Sequence, residues 1–145
     1  MVNLADNSKA RFNYELLKTF SAGLKLEGHE VKSVRSGKMS LAGSYITVRG
    51  DEAFLLGASV APYQPKNTPK NYEPDRTRKL LLSKSEIAEL AVAESTKGLT
   101  VVPLSVYNKG RFLKLDLAIA RGKKKFDKRE SIKKRDTERE IRRKL

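Results

Sequence analysis

The 145-residue chain contains no cysteine, no tryptophan and one histidine, His29. Without cysteine there is neither a disulfide framework nor a thiol nucleophile, which places the expected setting in a reducing, cytoplasmic compartment. With a single histidine, neither a Ser-His-Asp arrangement nor a His-rich metal site is expected, and His29 reads as an ordinary polar or groove residue. Long apolar runs are also missing. Met1 to Ala10 lacks the apolar centre of a signal peptide, and the basic segments carry too few apolar residues for an interfacial helix, so no membrane association is expected.

Paired carboxylates are sparse as well. Glu27 with Glu30 and Asp51 with Glu52 are the closest pairs, and at strand spacing neighbouring side chains point to opposite faces, so both pairs read as surface charges rather than a Mg²⁺ site. Gly37-Lys38 lacks the upstream glycine and the following hydroxyl residue of a phosphate-binding loop. No catalytic residue, metal site or cofactor is therefore expected, and the chain reads as a non-enzyme.

Positive charge is what the chain has in excess. There are 31 Lys and Arg against 17 Asp and Glu, a formal charge of +14, and a field of that sign seeks a polyanion. The distribution is uneven: Arg121 to Leu145 holds 13 basic and 5 acidic residues, a net +8. That tail has only Phe126, Ile132, Ile141 and Leu145 as large apolar side chains, too few to pack on a core. Glu130 with Lys134, Glu138 with Arg142 and Glu140 with Lys144 are acid-to-base pairs at helical spacing. A tail that is disordered when free and helical when bound is expected. Lys9, Arg11, Lys32, Arg35 and Lys38 form a second basic group, and phosphate neutralisation by such groups supplies most sequence-independent affinity for RNA.

The body divides at turn signals. Asn7 to Phe20, with Phe12, Leu16 and Phe20 at helical spacing, predicts a short amphipathic helix. Leu24 to Ser33, bent at Gly28, alternates as a strand, and Ser36 to Leu41 suits one helical turn. Tyr45 to Arg49 with Ala53 to Val60, around Gly50-Asp51, and Thr100 to Tyr107 with Phe112 to Ala120, around Asn108-Lys109-Gly110, predict two antiparallel hairpins. Pro62 to Pro74 reads as a mobile loop carrying Tyr63 and Tyr72, either of which is open to base stacking, whereas Tyr14, Tyr45 and Tyr107 read as core. Arg78 to Leu82 suits a strand. Ser83 with Glu86 has the spacing of a capping box, opening a helix with Ile87, Leu90 and Ala91 that Gly98 ends. Edge removal then favours a mainly β fold: an OB-like antiparallel β-barrel of about six strands over residues 1–120, with two or three short flanking helices and a basic tail over 121–145.

Several strings, in this order, resemble the small protein B (SmpB) family. They are Asn7 to Tyr14, Ala22-Gly23 with Leu26 and Gly28, Glu30 to Arg35, Gly37-Lys38, Arg76 to Leu82, Gly122-Lys123-Lys124 and Asp127-Lys128-Arg129. Ser21 is a departure, since the family usually has a glutamate before the Ala-Gly pair, and the chain stops at Leu145 where many relatives continue.

The resemblance implies a barrel that grips the tRNA-like domain of transfer-messenger RNA and a tail that enters the decoding site and empty mRNA channel of a stalled ribosome. It implies contacts to that RNA from Asn7, Lys9, Arg11, Lys32, Arg35, Lys38, Leu81 and Lys114. Arg121, Lys123, Lys124, Lys125, Asp127, Lys128, Arg129, Lys133, Lys134 and Arg135 would meet small-subunit rRNA. Elongation factor Tu and alanyl-tRNA synthetase are further partners, reached indirectly through the RNA. The competing expectation is a basic ribosomal or general RNA-binding protein.

Overall fold

The computed structural model describes residues 3–64, 66 and 68–123. Their elements run β1 (Asn3–Asp6), α1 (Ser8–Asn13), β2 (Tyr14–Leu24), α2 (Gly28–Arg35), β3 (Met39–Ser40) and β4 (Tyr45–Arg49). They continue with β5 (Glu52–Leu56), β6 (Ser59–Val60), β7 (Arg78–Leu81), α3 (Lys84–Ser95), β8 (Leu99–Lys109) and β9 (Phe112–Gly122).

Both predicted hairpins form, and glycine sets each turn. Arg49 faces Glu52 across Gly50-Asp51, and Lys109 faces Phe112 across Gly110-Arg111. Gly50 and Gly110 take φ of 60° and 62°, the left-handed conformation that a two-residue hairpin with glycine first demands. In β9, Leu113, Leu115 and Leu117 enter the core while Lys114 and Asp116 stand on the other face, as period-two alternation dictates. Ser83 caps α3 as expected: its Oγ accepts from the Glu86 backbone N–H, and the Glu86 side chain accepts from the Ser83 backbone N–H. α3 then lays Ile87, Leu90 and Ala93 on the inner face of the sheet.

The barrel does not close. Seven strands form one antiparallel sheet in the order β1-β8-β9-β2-β7-β5-β4, with β3 and β6 as a separate pair. No ladder joins β4 to β1 among the described residues. The exposed side of β4 is instead taken by α3, where Glu94 accepts the Val48 backbone N–H at 2.9 Å and the Thr47 hydroxyl at 2.7 Å. A helix carboxylate thus protects the edge that a closing strand would have covered.

Three element assignments also differ from expectation. The N-terminal helix stops at Asn13, because Tyr14 to Leu24 pairs along β9; Phe12, Leu16 and Phe20 do not share a helix face. Residues 28 to 35 are helix rather than strand, and Met39–Ser40 is a short strand rather than a helical turn. The buried face of α2 is Glu30, Ser33 and Val34, a helical spacing hidden from an apolar count because two of its three members are polar. Tyr72, expected on a mobile loop, is tied to the body, its hydroxyl donating to the Val60 carbonyl at 2.8 Å. Tyr45, expected in the core, is exposed, whereas Tyr107 is buried.

Candidate nucleic-acid interface

One face of the sheet packs against α3 and holds the core; the opposite, outer face presents most of the polar chemistry. The register aligns Tyr107, Lys114, Gly23 and Leu81 in one row across β8, β9, β2 and β7, and Ser105, Asp116 and Ser21 in the next. Gly23 is bare for a reason: a Cβ there would lie 3.1 Å from that of Leu81. Leu81 lies over Gly23 and remains 54% exposed, an apolar side chain presented on the outer face. Ser21, Lys79, Leu81, Lys84 and Lys114 line a cleft of about 600 Å³ here. Leu81 and Lys114, far apart in sequence, are thereby brought together.

The same face continues toward the other end of β9. α1 sits there, its Ala10 packed with Ala118, Ala120, Val102 and Leu104, and it displays Lys9 and Arg11 outward. From Lys114 to Ala120 along the strand is about 20 Å. Arg11 pairs with Asp6 at 2.9 Å. Asn7 has a structural duty. β8 carries an extra residue between Pro103 and Ser105. At this bulge the Asn7 side-chain amide donates to the Pro103 carbonyl at 2.9 Å, while its backbone N–H donates to that of Leu104 at 2.8 Å. The bulge accommodates a proline that has no N–H to give the ladder.

Lys32, Arg35 and Lys38 form a separate group around α2. Arg35 reaches the β8–β9 turn, donating to the Arg111 carbonyl at 2.9 Å and to Asn108 Oδ1 at 3.3 Å. Lys32 is exposed, and Lys38 Nζ lies 5.6 Å from the Tyr63 ring centroid. At the start of the tail, β9 runs on to Gly122, with Arg121 opposite Glu15, and the Lys123 backbone N–H donates to the Asn13 carbonyl. Lys124, Lys125, Asp127, Lys128, Arg129, Lys133, Lys134 and Arg135 lie outside the described residues.

Beneath α2 is a cluster that the charge pattern concealed. Glu30, expected at the surface, is fully buried. Its carboxylate receives the Arg78 guanidinium at 2.6 Å and 3.0 Å, the Arg76 guanidinium and the Glu27 backbone N–H at 3.0 Å, and it shares the single Tyr72 hydroxyl proton, at 3.1 Å, with the Val60 carbonyl. Burial alone pushes Glu30 up, but the hydrogen bonds from Arg76, from the Glu27 backbone and from Arg78, with the Arg78 charge, outweigh it and hold the carboxyl at about 2. Burial first, then the Glu30 charge and hydrogen bond, raises the Tyr72 phenol. Arg78 also donates to the carbonyls of Ala58, Arg76 and Pro74, so every branch of this buried ion pair is satisfied. The cluster locks α2 and the stretch from Tyr72 to Thr77 onto the sheet and thereby positions Lys32 and Arg35. The two arginines were visible as part of the Arg76 to Leu82 string, but their role was not.

Among the described residues, no group of three or more His, Asp and Glu side chains is placed to hold a metal ion, and no helix is long and apolar enough to cross a membrane.

Comparison with known proteins finds relatives along nearly the whole chain. The SmpB protein family profile matches residues 4–145. The SsrA-binding protein of Trichodesmium erythraeum is 47% identical over 97% of this chain and 90% of its own length. That of Chloroflexus aggregans is 49% identical over 98% and 90%, and that of Mesoplasma florum 48% identical over 97% and 95%. A solved structure described as "tmRNA-SmpB: a journey to the center of the bacterial ribosome" superposes with a TM-score of 0.68 at 41% identity, covering 88% of this chain and 92% of that one.

Proposed function

Since the chain belongs to the SmpB protein family, we propose that it is a cytoplasmic, non-enzymatic partner of transfer-messenger RNA. It binds the tRNA-like domain and delivers it to the A site of stalled ribosomes. The observation that supports this reading best is the outer face of the sheet: Leu81, lying over the bare Gly23, and Lys114 stand in an open cleft that combines apolar and charged side chains, with Lys9 and Arg11 on α1 farther along the same face. An open surface of this kind suits RNA recognised by shape, since A-form helices present a wide, shallow minor groove. Lys32, Arg35 and Lys38 add phosphate contacts beside it.

The tail supplies the second function. Lys123 to Lys125, Asp127 to Arg129 and Lys133 to Arg135 meet small-subunit rRNA in the decoding site and empty mRNA channel. A cationic segment of this kind competes sterically with mRNA and so distinguishes an empty channel from an occupied one. Elongation factor Tu and alanyl-tRNA synthetase are met through the bound RNA.

The test is a salt titration of binding to the tRNA-like domain, with an ordinary tRNA of similar length as competitor. Preference for the tRNA-like domain that persists at raised salt supports shape-specific recognition. Equal affinities that collapse together would sink the proposal in favour of a general RNA-binding or ribosomal protein.

A further inference from the structure

A carboxylate at the centre of an RNA-binding face, in a chain of charge +14, opposes the phosphates that the rest of the surface attracts. Asp116 is such a group, half-buried on the outer face beside Lys114, and its surroundings suggest what it is for. The Tyr107 hydroxyl donates to Asp116 Oδ1 at 2.9 Å. It also lies 2.8 Å from Ser21 Oγ. A phenol has one proton. With that proton committed to Asp116, Ser21 must be the donor to Tyr107, and the order runs Ser21 to Tyr107 to Asp116. Ser21 Oγ then keeps only lone pairs facing outward, and Asp116 Oδ2 accepts no hydrogen bond from the described residues. Two acceptors therefore stand side by side on neighbouring strands, with the Lys114 ammonium two residues from Asp116 on the same face.

Two acceptors repel a phosphate, but they receive hydroxyl protons, while Lys114 receives the phosphate that accompanies them along a ribose backbone. Resting on the reading of the outer face as the RNA surface, we propose that Ser21, Tyr107 and Asp116 form a ribose-reading site that accepts hydrogen bonds from RNA 2′-hydroxyls, with Lys114 on the adjoining phosphate. A duplex minor groove displays 2′-hydroxyls at its surface. Asp116 is thus a specificity residue, favouring ribose over deoxyribose, rather than a source of bulk affinity.

The experiment measures Kd for the tRNA-like domain in its all-ribose form and in versions with 2′-deoxy nucleotides placed in successive blocks. It uses the full chain and the variants D116N and S21A, each checked by thermal melting. D116N keeps the shape and an oxygen for Tyr107 but turns an acceptor into a donor. Wild type should lose roughly five- to tenfold on one deoxy block, the scale of a lost hydrogen bond. D116N should lose a similar factor on the all-ribose RNA and become indifferent to that block. S21A, altered at an exposed hydroxyl, should show the same coupling with a smaller loss.

Variants that retain the full wild-type sensitivity to the deoxy block, or that bind more tightly, would overturn the assignment. So would an equal loss on ribose and deoxy forms, which would place the carboxylate on a base amine. Wild type that binds the domain but ignores every deoxy block removes this inference and leaves the proposed function standing; wild type that does not bind the domain removes both.

Discussion

Arg78 and Glu30, 48 positions apart in sequence, form an ion pair at 2.6 Å with neither side chain exposed. Two charges removed from water are tolerated only when every remaining donor and acceptor is satisfied, and here Tyr72, Arg76, Ala58 and Pro74 complete the set. Glu30→Ala would leave the Arg78 guanidinium buried without its counter-ion. The expected cost is about 3–5 kcal/mol, read from urea unfolding at neutral pH. A loss below about 1 kcal/mol would mean that the pair is solvated in solution.

The same carboxylate makes stability depend on acid. Glu30 is held at about 2 in the folded chain, against an ordinary value of 4.5. Its folded pKa is depressed, so the stabilisation is fully present above pH 4.5 and is lost as pH falls from there toward 2. The difference corresponds to at most on the order of 3 kcal/mol. Glu30→Gln should flatten the stability profile across that window; an unchanged slope would assign the acid sensitivity to other carboxylates.

Lys32 and Arg35 should separate when each is replaced by alanine. Lys32 is exposed, so Lys32→Ala should leave the melting temperature unchanged and reduce the salt slope of RNA binding by roughly 0.7–0.9 for one lost phosphate contact. Arg35 also fastens the β8–β9 turn through Asn108 and Arg111, so Arg35→Ala should lower both the slope and the stability. Equal behaviour in melts and salt titrations would contradict the difference in their surroundings.

Ser83→Ala removes the N-cap of α3, and caps of this type are worth about 1 kcal/mol. Because α3 also guards the β4 edge through Glu94, hydrogen exchange at Val48 should accelerate in that variant. No change at Val48 would show that the edge is held independently of the helix terminus.

Truncation after Lys123 should preserve tRNA-like-domain binding while abolishing tagging of stalled peptides. The cut spares β9, which runs through Gly122. A truncated protein without affinity for the RNA would refute the division between body and tail.

The sequence by itself determined the features whose physical cause is local. Gly50 and Gly110 place the two hairpin turns because left-handed φ is theirs at little cost, Ser83 and Glu86 open α3 because their side chains reach backbone groups within one turn, and the strings shared with the SmpB family identify the chain. The excess of positive charge likewise points to a polyanionic partner without knowledge of any contact. What only the tertiary structure decided depends on partners distant along the chain. Glu30 looks like a surface charge until Arg76 and Arg78 arrive from 46 and 48 positions away, and α2 hides as a strand because its buried face is polar. The unpaired edge of β4 is likewise met by a remote partner, since Glu94 accepts the Val48 backbone N–H from 46 positions away. The outer face itself exists only through register: Ser21, Tyr107 and Asp116 on three strands become one acceptor site because long-range hydrogen bonding sets them in adjacent rows.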